Sequence, residues 1–429
     1  MIRGMSGERG GARRLRIGLV SLADPADPQA ISGMPHAIRG QLRRLGHEVL
    51  DLVPGAPLPA GARLRRQVSA LVPAPVKRAL KQAGGGSAAA LLAWVRTWRP
   101  AEAPTDDEAA HQAELARARA LSRDLQARIA AVQPPLDLLV GVCISVPLYA
   151  LEVPQPIVYF SDTTATVIMS TYPAFRDQPA GWRRACVDIE RASLSRAALA
   201  VFATELARRS AVEEFGVDPA RTHVIPLGAN VLPDAALLER ARAVPAPSRD
   251  DLRLVITASD PARKQLDLVI DVVELLRREG VAATLDFIGP PTERARRHPH
   301  VRCAGRLVLS RPEDRRKNLE LLAGSHLMLL PSLGEAFGIA VAEAAHLGKP
   351  SVVSDAGGLP EVIDPERRAG LVVPVGAGAA EYAAAVRALA LDPARYAAAS
   401  AAALERARTV LHWDRFGERL GALLEEVSP

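Results

Sequence analysis

Residues 331–361 read PSLGEAFGIAVAEAAHLGKPSVVSDAGGLPE, and this stretch restricts what the chain can fold into more than any other. It follows a short apolar run at 326–330 of the kind that forms a buried strand, broken by Ser332, Leu333 and Gly334. The pattern predicts a helix over 336–347, with Gly348 as its stop and Pro350 just beyond. Residues 349–354 then start a second buried strand that ends at the turn Gly357-Gly358.

Two carboxylates bracket the predicted helix, Glu335 at its mouth and Glu343 within it. Eight helical residues rise about 12 Å. That is roughly the span from sugar to ribose in an extended nucleotide-sugar. A helix N-terminus offers unpaired N–H groups and a positive dipole end, which suit a diphosphate. The pair therefore fits a ligand with hydroxyl-rich groups at both ends and phosphates between them. Taken alone it fits an ordinary helix at least as well, because first-turn acids complement the dipole and a mid-helix Glu is usually solvated.

A chain of 429 residues is too long for one ordinary core, so two domains are expected. With 48% hydrophobic and 24% charged residues it belongs among globular chains. The longest apolar stretch, 138–151, is interrupted by Ser145 and Pro147, so a membrane-spanning helix is not expected. No adequate apolar segment precedes Asp24, so a secretory signal is not expected either. Cys143, Cys186 and Cys303 are widely spaced and odd in number, which fits a reducing cytoplasm and neither a disulfide framework nor a zinc site. The net charge of +6 suits anionic ligands or surfaces. With only 4% aromatic residues to stack on bases, a nucleic-acid partner is not expected.

Along the chain, a strand over 16–22, a loop containing Ser32 and Gly33, a helix over 34–45 and a strand over 47–53 form a βαβ opening. Gly33 would let backbone N–H groups approach a phosphate, or simply make a turn before a helix. No G-x-G-x-x-G is present, so dinucleotide binding has no support. Residues 54–122 read as an insertion, with eight Arg and Lys and no acid between Asp51 and Glu102, and with Trp94 and Trp98 one helical turn apart. Its part from 61 to 99 suits a solvated hairpin packed on the first domain, which is the favoured reading, or contact with an anionic membrane. Asp162 follows a buried strand at its carboxyl end, where it would cap the next segment or touch a sugar hydroxyl.

Residues 241–251, rich in Pro, Ser and Arg, read as a linker between a first domain over 15–240 and a second over 252–410, with a final helix in 411–429. In the second domain Arg263 and Lys264 sit between a strand and a helix, a placement that would neutralise a diphosphate. An exposed, ordinary pair is the alternative, though one of only five lysines falls here.

These pieces, taken in order, closely resemble the group 1 (family 4) retaining glycosyltransferases. The resemblance rests on the first loop at Gly33, LRRLGHEV at 42–49, EEFGVDPARTHVIPLGAN at 213–230, Arg263-Lys264, the Glu-x7-Glu stretch with its Gly-Gly-x-Pro-Glu turn, and the helix after Trp413. It implies a GT-B fold: two Rossmann-like α/β domains facing a cleft, the first holding the acceptor, the second the nucleotide-sugar, and the last helix crossing back to the first. By the family pattern Glu343 binds the ribose and Glu335 the donor sugar. Backbone amides of Ala336, Phe337, Gly338 and Ile339 face the sugar and phosphates, while Arg263 and Lys264 stabilise the leaving diphosphate. Gly33 approaches the diphosphate from the first domain, and Gly289, Arg306 and Leu307 lie near the base.

The implied reaction is retaining, metal-independent transfer of a hexosyl group from a UDP- or GDP-sugar to a hydroxyl of a glycan, lipid-linked or small-molecule acceptor. The absence of Asp-x-Asp agrees with this, and no cofactor beyond the nucleotide-sugar co-substrate is implied. Two departures stand out. Gln265 replaces the glycine that many members carry after Arg-Lys, and a sugar-contacting histidine is missing near Ser161-Asp162. That contact is left to Asp162 or His36. The competing expectation is a non-catalytic GT-B-fold scaffold, whose mark would be loss of Arg263, Lys264, Glu335 or Glu343; all four are present.

Overall fold

The apolar runs become strands of two parallel sheets, buried because helices cover both faces. The computed structural model describes residues 13–55, 106–364 and 366–427. In the first domain β1 (Arg16–Val20), β2 (Glu48–Leu52), β3 (Leu138–Val142), β4 (Ile157–Ser161), β5 (Leu199–Phe202) and β6 (Thr222–Val224) pair in the order β2-β1-β3-β4-β5-β6. In the second, β7 (Leu252–Thr257), β8 (Ala283–Ile288), β9 (Val301–Gly305), β10 (Leu327–Leu330), β11 (Ser351–Ser354) and β12 (Gly370–Val373) pair in the order β12-β11-β10-β7-β8-β9.

Both sheets change direction of growth beside their first strand, between β1 and β3 and between β7 and β10. Loops leaving neighbouring strands in opposite directions open a crevice there, at the carboxyl ends. In the first sheet these are the loop reaching Gly33 and the bend at Cys143. In the second they are the loop carrying Arg263-Lys264 and the loop carrying Glu335.

The chain crosses between domains twice, and the crossings touch: Ala229 N–H donates to Leu411 O at 3.1 Å. Gly228 is needed because a Cβ there would lie 2.3 Å from Trp413 N. The last helix, Trp413–Val427, then returns to the first domain. It lies against the helix Met34–Arg44, where Asp414 pairs with Arg44 and accepts from Gln41 at 3.4 Å. Phe416 meets Phe160 edge-on at 5.3 Å, and Arg419 donates to Val224 O at 2.6 Å.

Three expectations need correction. The helix predicted over 336–347 is Ile339–Ala345, because Gly338 before it takes φ +105° and breaks the helical run. Glu335 is therefore on a loop, and the 12 Å helical span between the two glutamates does not apply. Residues 107–122, expected in an insertion, belong to the helix Asp107–Ala130 of the first domain. Its buried stripe Ala110, Leu115, Ala118, Leu125 and Ile129 has helical spacing, and its side lies on the helix Ala180–Arg196 through His111–Asp188 at 2.8 Å. The expected first-domain limit at 240 falls inside the helix Ala235–Arg242, which hydrogen-bonds the second domain: Lys349 Nζ donates to Ala241 O at 3.3 Å. The basic part of the insertion with Trp94 and Trp98, and the expected membrane contact over 61–99, lie outside the described residues. Among the described residues no helix is long and apolar enough to cross a membrane.

Candidate active site

The loop after β7 and the loop after β10 bring three charges together. Lys264 Nζ lies 2.9 Å and an Arg263 guanidinium nitrogen 3.3 Å from the same oxygen, Glu335 Oε1. Lys264 and Glu335 are each only 8% exposed, so the pairing is shielded from water. Burial works against the Glu335 charge, but Lys264 and Arg263 outweigh it and hold its pKa down to about 2. The two cations outnumber Glu335, and the second carboxylate at Arg263, Asp260, is more distant at 3.9 Å and half-exposed, so the cations remain available to a diphosphate.

Local structure fixes this geometry. Leu333 N–H donates to Arg263 O at 2.9 Å, and Arg263 also donates to Gly334 O, tying the two loops together. Gln265, in place of the family glycine, adopts the left-handed conformation at φ +52° and donates its amide to Pro331 O at 2.5 Å. That side-chain bond offsets the strain a glycine would avoid. Beneath Glu335 lies the Gly-Gly turn. A Cβ on Gly357 would sit 1.8 Å from Glu335 O, and Gly358 N–H donates to that oxygen at 3.2 Å.

Glu343 is buried on the helix Ile339–Ala345. Burial raises its pKa to about 7, against the pull of Asn318, Lys264 and the Val231 backbone. Its carboxyl thus titrates near neutrality, between donor and acceptor of hydrogen bonds. Ala336 is half-buried, and its N–H donates to the Tyr172 hydroxyl of the first domain at 2.9 Å. Phe337 is buried, while Ile339 opens the helix.

Across the cleft, Asp162 leaves β4 half-buried, with Cys143 Sγ 3.7 Å from its Oδ1. Burial raises its pKa to about 6; its own N–H and the thiol oppose this, and repulsion from Glu335 adds to it. Gly33 is buried at φ +77°, and a Cβ there would lie 2.8 Å from Pro28 O. Ile31 and Ser32 before it are also left-handed, at φ +48° and +55°, an unusual conformation for a β-branched residue. Asn230 holds this loop by donating to Ser32 O at 2.7 Å, and Trp413 Nε1 donates to Asn230 Oδ1 at 3.3 Å.

The remaining sequence candidates stand apart from the ionic cluster. His36 is exposed with Nδ1 3.2 Å from Pro25 O. Gly289 is glycine because a Cβ would meet Ala258 O at 2.1 Å. Arg306 and Leu307 follow β9 and are half-buried. A separate cavity of about 420 Å³, lined by Arg367, Arg368, Arg395 and Glu405 among others, shares no residue with the cleft.

Sequence reading missed Tyr172 and Asn318, and it gave Glu361, though part of the quoted turn, no contact of its own. Tyr172 comes from a short segment without a motif, and only its aromatic character in an aromatic-poor chain could have singled it out. Glu361 closes the Gly-Gly-x-Pro-Glu turn and accepts from Glu205 N–H at 2.6 Å and Leu206 N–H at 2.9 Å, joining the domains.

Residues 235–392 match the family model described as Glycosyl transferases group 1. A D-inositol 3-phosphate glycosyltransferase of Nocardia farcinica is 28% identical over 163 residues, which are 35% of this chain and 36% of that protein's length. The sucrose-phosphate synthase of Thermosynechococcus elongatus has the same fold at TM-score 0.65, with 16% identity over 96% of this chain and 99% of that one. An α,α-trehalose 6-phosphate synthase of Burkholderia multivorans gives 0.62 at 16% identity, with 97% of both chains covered. The architecture is thus that of a two-domain GT-B protein. Its second domain is the part that resembles the group 1 glycosyltransferases, over residues 235–392.

Proposed function

We propose that the protein is a retaining, metal-independent glycosyltransferase that moves a hexosyl group from a UDP- or GDP-sugar to a hydroxyl of a glycan, lipid-linked or small-molecule acceptor. The observation that carries this reading is the Arg263–Lys264–Glu335 cluster at the switch point of a group 1 glycosyltransferase domain. As the bond between the anomeric carbon and the diphosphate breaks, negative charge grows on the leaving oxygen, and Arg263 and Lys264 are placed to take it. The acceptor oxygen bonds the same face of that carbon, and its proton passes to the departing phosphate oxygen. Retention follows, without an enzyme nucleophile.

Glu335, kept ionised by its two partners, accepts hydrogen bonds from sugar hydroxyls. Glu343 accepts from the ribose hydroxyls, most strongly when ionised. Asp162 faces the reacting centre from the acceptor's side. The nucleotide-sugar is the co-substrate, and no further cofactor enters the scheme.

Thermal unfolding against a panel of UDP-, GDP-, ADP- and dTDP-sugars tests the proposal. A nucleotide-sugar at a hundredfold excess over its Kd should stabilise the native state by about 2.7 kcal/mol. The shift should be selective for one base and lost in Glu343→Ala. If a folded protein shows no shift with any of them, the scaffold reading takes its place.

A further inference from the structure

We infer that Tyr172, on the first domain, is a positioning residue that makes the geometry of Arg263 depend on domain closure. This rests on the proposed glycosyl transfer. The centre of the Arg263 guanidinium lies 5.1 Å from the centroid of the Tyr172 ring, on its face. The hydroxyl of the same ring accepts the Ala336 N–H at 2.9 Å. One side chain thus touches both loops of the second domain that build the cationic site. The fit is close: a Cβ on Gly334 would lie 2.2 Å from Thr171 O and 3.2 Å from the Tyr172 ring. Glu361, on the helix start at Glu205 and Leu206, holds the domains together a second time beside the same Gly-Gly turn.

The consequence is mechanical. Arg263 is fixed by Glu335 and Gly334 from its own domain and by the Tyr172 face from the other. When the domains part, the ring leaves and the guanidinium loses one of the supports that aim it at the leaving group. The leaving diphosphate is then fully stabilised only in the closed enzyme, and the donor is protected from hydrolysis in the open one. Donor binding draws on several groups besides Arg263, Glu343 among them, and should depend on the ring much less than the leaving-group step does.

The test compares wild type, Tyr172→Phe and Tyr172→Leu, each confirmed folded, for donor Kd by calorimetry and kcat for transfer or donor hydrolysis with the same sugar-nucleotide panel. Tyr172→Leu should lower kcat about tenfold or more, the scale of a desolvated cation–π contact, with Kd changed less than about threefold. Tyr172→Phe keeps the ring and should keep kcat within about threefold of wild type. A Leu variant with wild-type kcat, or a Phe variant as slow as Leu, overturns the inference. Failure of the glycosyltransferase reading is distinguishable, because wild type would then neither bind nor turn over any donor, and the inference would fall with it.

Discussion

The two switch points of this molecule have the same topology and opposite chemistry. In the second sheet, the loops after β7 and β10 gather two cations on one oxygen of a buried carboxylate. In the first sheet, the loops after β1, β3 and β4 present a strained turn at Ile31–Gly33, the Cys143 thiol and a half-buried Asp162. The second region is prebuilt for an anion. The first offers carboxyls instead: Asp162, and Asp24 and Asp27 in the loop after β1, which accept from Ala26 and Gln29 N–H.

Breaking the second region should have the largest effect. Lys264→Ala is expected to lower transfer roughly 10²- to 10³-fold, the scale of one lost electrostatic donor, read as kcat at saturating donor. Stability follows the same element: Glu335→Ala leaves the buried Lys264 without its carboxylate, and chemical denaturation should show a loss of about 3–5 kcal/mol. Gly357→Ala attacks the support of the same loop, since its Cβ would overlap Glu335 O at 1.8 Å and its φ is +54°. A loss of at least about 1–3 kcal/mol is expected.

The equivalent changes in the first region should be smaller, and that difference sharpens the comparison. Asp162→Asn removes a carboxyl that repels Glu335, so the midpoint of unfolding at neutral pH should hold or rise slightly while transfer falls. The pH dependence separates the two acids by sign. Glu335, depressed to about 2, stabilises the fold above its unfolded pKa, and that contribution is lost as pH falls from about 4.5 toward 2. Asp162, raised to about 6, contributes below its unfolded pKa, and that contribution is lost as pH rises through 6. Denaturation midpoints between pH 4 and 7 should therefore decline less in Asp162→Asn than in wild type. A decline of equal size in both would remove Asp162 from the comparison.

Much of this was legible in the sequence. The apolar runs and turn residues were enough to place the strands of both sheets, because short buried strands bounded by Gly and Pro carry their signal locally. The Glu-x7-Glu stretch, Arg263-Lys264 and the final helix were readable for the same reason: each motif is contiguous. The helix start at Ile339 was misplaced because Gly338 reads as a tolerable helix residue until its left-handed φ is seen. A helix over 108–132 reads from the sequence, but its part up to 122 was placed in an insertion because its buried stripe has meaning only against the helix Ala180–Arg196.

By itself, then, the sequence determined the two α/β layers and the residues able to carry charge at the carboxyl ends of β7 and β10. It could not say that Lys264 and Arg263 share one oxygen of Glu335. Nor could it say that Tyr172 reaches Arg263 from 91 positions before it, with its hydroxyl on the Ala336 N–H. Those facts depend on where two independently patterned sheets come to rest against each other. Side-chain periodicity reports which face of an element is buried. Only packing between domains decides which buried face meets which charge.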